Sequence, residues 1–191
     1  MTATPSVFAQ RITSAQSTLK ELGLAACLVP SSDPHLSEYL PARWQGREWL
    51  SGFTGSMGTL VVTRDRAALF ADSRYWTQAE TELAHTGIEL VKIDSGASTH
   101  HVQWLAQHTG HGKVVGVDGA VLGLAAAQQL RDTLARSVFA QIILRRKLLN
   151  DLTGVRLLAQ QYDLTEVLPI RELEAVVAVG TLGGENGLVR R

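Results

Sequence analysis

The sequence predicts an α/β domain in which helices flank a mixed β-sheet. Runs of strand length alternate with segments of helical period along residues 5 to 136, which asks for parallel strands joined by helices. One pair of runs, Thr59 to Thr63 and Ala67 to Ala71, is separated only by Arg64, Asp65 and Arg66, the length of a hairpin loop. The inserted hairpin makes the sheet mixed. A length of 191 residues suits one domain with a sizeable core and little more.

The elements follow in order. Thr4 as N-cap and Pro5 at the first helical position open a helix over 5–22, in which Phe8, Ile12, Ala15, Leu19 and Leu22 share a face before Gly23 stops it. Ala25 to Val29 is a short buried strand, ended by Pro30 and the polar cluster Ser31, Ser32, Asp33 and Pro34. Irregular backbone then leads to a short helix near Arg47 to Leu50. The hairpin follows, and Asp72 and Ser73 are placed to cap a helix carrying Trp76, Ala79 and Leu83 on one face and ending near Gly87. A strand at 88–93, a helix at about 98–109, a strand at 114–117 and a helix at about 122–136 complete the pattern, the last with Leu122, Ala126, Leu130 and Leu134 aligned. Beyond 136 the order is less regular: a strand within 138–144, a basic then apolar stretch to Leu149, a helix over 168–179, and a loose tail from Gly180. The expected division is a domain at 1–136 and a divergent extension at 137–191.

Eighteen basic residues balance eighteen acidic ones, so no broad charged face for nucleic acid or anionic membrane is expected. Small molecules, peptides and proteins remain as partners. The single cysteine, Cys27, lies in an apolar run, which makes it a buried thiol and rules out an internal disulfide. No apolar run approaches the roughly 18 residues of a membrane span, and the N-terminus lacks a leader-like pattern, so a cytoplasmic location is expected.

Familiar catalytic patterns are missing. His100, His101, His108 and His111 cluster in sequence without an HExxH pattern or matched carboxylates, so capping or surface roles suit them better than a metal site. Gly52-Phe53-Thr54-Gly55-Ser56 is not a GxSxG nucleophile elbow, and the glycines form neither GxGxxG nor a P-loop. What remains is a set of unlike polar groups around strand ends: Ser31, Asp33, His35, Glu38, Arg47, Ser56, Asp72, Arg74 and Tyr75. These are either caps and turn residues or one wall of a substrate cleft, to which Arg74 can lend a carboxylate-binding fork.

The stretch VPSSDPHLSEYLPARWQGREWLSGFTGSMGTLVVT followed by AALFADSRYWTQAETEL resembles the N-terminal domain of Xaa-Pro aminopeptidases (aminopeptidase P), in the creatinase and prolidase superfamily. The segments DPHLSEY, RxxLSGFTGSxG and ADSRYWxQA occur in the family's order, the likeness covers roughly Ala9 to Arg136, and VGVDG ending at Gly119 matches a late strand and turn. The resemblance implies a ribonuclease-H-like mixed sheet. It also implies a separate pita-bread domain that holds two divalent ions, usually manganese, and cleaves the bond before a proline at the second position. In that family the N-terminal domain shapes the active-site mouth and oligomer contacts and supplies no metal ligand, so this chain is expected to have no catalytic or metal-binding residue and no bound cofactor.

His35, Arg47, Arg74 and Tyr75 then stand as substrate-cleft candidates, and Gly52, Gly55 and Gly58 as a structural turn aiming the chain into a central strand. Met57 stands where the family usually has a small residue. Residues 137–191 contain no histidine and no pita-bread pattern, so the chain is expected to be inactive alone and to self-associate or contact a catalytic domain. The other readings are a stand-alone peptide-binding or interaction module, in which residues 137–191 carry a new role, and a small metallopeptidase built on the histidines at 100–111.

Overall fold

A computed structural model of the chain describes residues 5–110, 113–137, 141–144 and 175–177. Helix α1 spans Val7–Glu21, and its N-cap is Ser6, whose hydroxyl accepts from the Ala9 N–H at 3.1 Å, two residues later than the expected cap at Thr4. Ile12, Ala15 and Leu19 form its buried stripe, and Gly23, at φ +70°, reverses the chain into strand β1, Ala26–Pro30. A 3-10 turn at Ala42–Trp44 and helix α2, Gly46–Ser51, precede the hairpin of β2, Thr59–Thr63, and β3, Ala67–Asp72. Helix α3 is Trp76–Glu82, strand β4 Glu89–Ile93, helix α4 His100–Thr109, strand β5 Val114–Val117 and helix α5 Leu124–Ser137. Strands β6, Gln141–Leu144, and β7, Ala175–Val177, close the order.

These strands form one mixed sheet in the order β4-β3-β2-β1-β5-β6-β7. β2 is antiparallel to both β1 and β3, with Cys27 facing Val62 and Leu60 facing Leu69, whereas β3–β4, β1–β5 and β5–β6 are parallel. The carboxyl ends of β1, β3, β4 and β5 therefore lie along one edge of the sheet, together with the start of β2. Parts of the expected extension belong to the sheet as well: β6 continues it beside β5, and β7 pairs antiparallel with β6. Residues 175–177 are thus a strand where a helix was expected. The remainder of that expected helix, the basic stretch and the tail lie outside the described residues.

Strand alternation sends successive side chains to two cores. Cys27, Val29, Leu60, Val62, Leu69 and Ala71 meet α1, α2 and α3 on one face; Leu28, Val61, Ala68, Phe70 and Val115 meet α4 and α5 on the other. Every residue of β3 is buried, so its run is continuously apolar up to Asp72. Cys27 lies wholly inside, and burial pushes its thiol up to about 12, leaving no thiolate near neutrality. On α5 the inward face is Ala127, Leu130 and Leu134, while Ala126, placed on that face by the sequence spacing, is exposed.

Gly52 is the C-cap of α2 at φ +76°, and a Cβ there would meet the Phe8 ring at 2.6 Å. Gly23 has nearly the same φ with nothing within 4 Å. Gly23→Ala should therefore cost only the backbone term, about 1 kcal/mol in denaturant unfolding. Gly52→Ala should cost clearly more, about 2–3 kcal/mol, and equal losses for the two variants would remove the Phe8 contact as a factor.

Candidate functional site

Three segments meet at the edge where β1, β3 and β4 end. The first follows Pro30, where a buried Asp33 closes an Asx turn by accepting from the backbone N–H groups of His35 at 3.1 Å and Ser37 at 2.8 Å. The Ser37 bond is the chief reason its carboxyl titrates below the usual range. The turn carries His35, Leu36 and Tyr39 outward, Leu36 at φ +54°. Ser31 ties this segment to the next by donating to the Gly58 carbonyl at 2.8 Å.

The second segment, 52–58, is held from beneath by Arg47. Arg47 is buried, with its guanidinium 4.8 Å from the Phe53 ring centre, and it donates to the carbonyls of Phe53 at 3.1 Å and Gly55 at 2.5 Å. Burial lowers its pKa to about 10, still far above neutrality, so a cation sits inside the domain. Such a charge is costly unless its protons are taken, and here Nη1 and Nη2 each give one to a loop carbonyl, while Nε has no partner among the described residues. From the other side Glu82 of α3 accepts from the Thr54 N–H at 2.9 Å and hydroxyl at 2.7 Å, and Gln78 donates to both Thr54 and Glu82. The three glycines serve different needs. Only Gly52 has positive φ, whereas a Cβ at Gly55 would strike the Phe53 and Tyr75 rings, and one at Gly58 would press on Phe53 and the Phe70 carbonyl.

The third segment turns off β3. Asp72, expected to cap α3, instead accepts a fork from Arg74, Nε at 3.0 Å and Nη2 at 2.7 Å, together with the Arg74 N–H. The N-cap position of α3 belongs to Tyr75, which makes no capping bond with its side chain. That fork lowers the buried Asp72 carboxyl and raises the Arg74 guanidinium. Tyr75 packs edge-on against Phe53 and joins its hydroxyl to Ser56 Oγ at 2.6 Å. Asp72, Ser31, Met57, Phe70, Gly96, Ser98 and His101 line a pocket of about 90 Å³ behind this rim.

The structure therefore joins Arg74, Tyr75 and Ser56 on one rim and puts Arg47 under it, spent on backbone, rather than on a cleft wall. His35 is exposed on the neighbouring segment, and among the described residues no hydrogen bond or ion pair joins its ring to the other three. Thr54, Gln78 and Glu82 escaped sequence reasoning; the i, i+4 spacing of Gln78 and Glu82 was the available signal. His108 stacks on Trp104 with centroids 4.0 Å apart, His101 packs edge-on against Phe70, His100 is exposed, and His111 lies outside the described residues. No group of three His, Cys, Asp or Glu side chains able to hold a metal occurs among the described residues, so a dinuclear site does not fit them, and no helix there is long and apolar enough to cross a membrane.

Residues 11–144 match the model of the creatinase/prolidase N-terminal domain. Aminopeptidase P2 of Arabidopsis thaliana is 38% identical over 115 residues, 60% of this chain and 16% of that protein. The X-prolyl aminopeptidase from Caenorhabditis elegans, a cytosolic enzyme with a di-nuclear active site, aligns at TM-score 0.66 and 29% identity over 76% of this chain and 25% of its own. The N-terminal domain of the cytoplasmic peptidase PepQ from Mycobacterium tuberculosis H37Rv shares the fold, at TM-score 0.56 and 24% identity, over 75% of this chain and 98% of that one. The chain spans less than a quarter of the length of the curated relatives it matches first.

Removing the buried cation should release the rim. Arg47→Ala is expected to destabilise by about 2–4 kcal/mol and to speed amide exchange at Thr54 to Gly58; unchanged exchange there would show that α3 alone holds the segment. The pH response has a definite sign. Burial and the neighbouring His100 lower the His101 pKa from 6.5, so the unfolded chain takes up that proton first on acidification. Its stabilising contribution is full above pH 6.5 and falls below it, while the depressed Asp33, Asp72 and Glu82 carboxyls subtract stability only at lower pH. His101→Gln should flatten the loss of melting temperature between about pH 7 and 5.5, and an unaltered slope would assign it to other groups.

Proposed function

The chain belongs to the creatinase/prolidase N-terminal domain family, and from that membership we propose that it serves as the non-catalytic N-terminal domain of an Xaa-Pro aminopeptidase-like metallopeptidase. The observation that supports the proposal is the rim itself: segments 31–38, 52–58 and 72–75 meet at one edge of the sheet, with Ser31, Met57, Gly58 and Asp72 from them lining a pocket. In this reading the rim forms part of the mouth through which a peptide with proline at its second position approaches. Arg74 contributes from Nη1, because Nε and Nη2 are spent on Asp72. Arg47 contributes from beneath, by holding the segment in place, and Gly52, Gly55 and Gly58 by letting it lie close to the rings around it.

Bond cleavage, with its two divalent ions, manganese in this reading, belongs to the portion of the relatives that this chain does not span. In this reading the exposed Leu36 and Tyr39, 71% and 85% accessible, meet that portion or a second copy of the domain. The setting that suits this reading is the cytoplasm.

The chain incubated with manganese and an Xaa-Pro peptide should release no N-terminal residue. Chelator-sensitive release in proportion to bound metal would overturn the non-catalytic assignment.

A further inference from the structure

We propose that the outward face of the Gly55–Ser56 peptide, with the Ser56 and Tyr75 hydroxyls, is a subsite for the C-terminal carboxylate of a short peptide; the inference rests on the peptide-mouth reading above. Arg47 draws the Gly55 carbonyl inward. The peptide bonds of the described residues are all trans, so the N–H of Ser56 points the opposite way, toward the face where Ser56 is exposed. The same logic holds two peptides earlier, where the Phe53 carbonyl turns in to Arg47 and the Thr54 N–H turns out to Glu82.

The hydroxyl pair adds a second donor. Ser56 Oγ and Tyr75 Oη are 2.6 Å apart, and one proton suffices for that bond. Two hydroxyls bring two protons, so one remains to donate outward. A third donor stands beside them, since Arg74 lies 5.3 Å from the Tyr75 ring centre with Nη1 uncommitted to Asp72. The acids nearby do not fill these positions: Glu82 spends its oxygens on Thr54 and Gln78, and Asp72 on Arg74. Surplus donors without a resident acceptor match an acceptor-only ligand, and the adjoining guanidinium favours one that is charged. The two carboxylate oxygens of a peptide terminus meet both conditions.

The test is an NMR titration of the chain with Ala-Pro-Ala as the free acid and as its C-terminal amide, repeated on the double variant Ser56→Ala/Tyr75→Phe, which removes both hydroxyls and leaves the rings in place. The acid should shift the amides of Ser56 and Tyr75 and bind about tenfold or more tightly than the amide. In the double variant that preference should shrink to about twofold or less. Equal binding of acid and amide by the natural chain would overturn the carboxylate subsite and leave the peptide mouth standing. A full preference retained in the double variant would place the carboxylate elsewhere and overturn it as well. Absence of any shift in residues 31–38, 53–58 and 72–75 with either peptide would overturn the mouth reading and the subsite with it.

Discussion

The central strands β1, β2, β3 and β5 are covered on both faces, and the rest of the molecule follows from that. β3 buries six consecutive residues, and β1 and β2 divide their side chains between two cores built on opposite sets of helices. Strands so enclosed have no free face on which to display a functional group. Polar chemistry is pushed to the strand ends, where the parallel strands and the start of β2 release the chain along one edge. Asp72 marks the transition: it is the last residue of β3, still buried, and the first whose side chain is committed to a charge.

At that edge the domain accepts a costly element. Arg47 puts a guanidinium in the interior where, among the described residues, no acid lies within ion-pairing distance and its Nε has no partner. The compensation is geometric. Two loop carbonyls that would otherwise need partners are turned toward the cation, and the reverse sides of those peptides are turned toward α3 and solvent. Phe53 fills the space between, with Tyr75 against its edge, so the loop, the helix start and the arginine form a single packed unit.

Much of this was legible from residue spacing. β2 and β5 lie at the expected residues, and α4 begins within two of them, because their patterns are local and bounded by turn residues. The family motifs pointed to the correct fold. What escaped was decided by side-chain direction. Arg47 reads as a substrate-cleft candidate on a short helix, yet its i+3 and i+4 neighbours are Leu50 and Ser51, both buried, and it shares their inward face. Asp72 has the composition of a cap but lies closer to the guanidinium two residues on, and a fork to Arg74 outcompetes a single bond to a helix N–H. The α1 cap moved from Thr4 to Ser6 because a hydroxyl at either position suits the pattern, and only the backbone geometry at Ser6, extended at ψ 156°, selects between them.

The strand pairing also has a temporal side. Val62 pairs with Ala67 across only four intervening residues, whereas Ala26 pairs with Val115, nearly half the chain away. Closing the short loop costs little chain entropy, while the β1–β5 seam must wait until the long intervening segment has been gathered in. The hairpin that makes the sheet mixed is thus the natural first fragment of structure, and β1 is the strand on which early and late halves of the fold are joined.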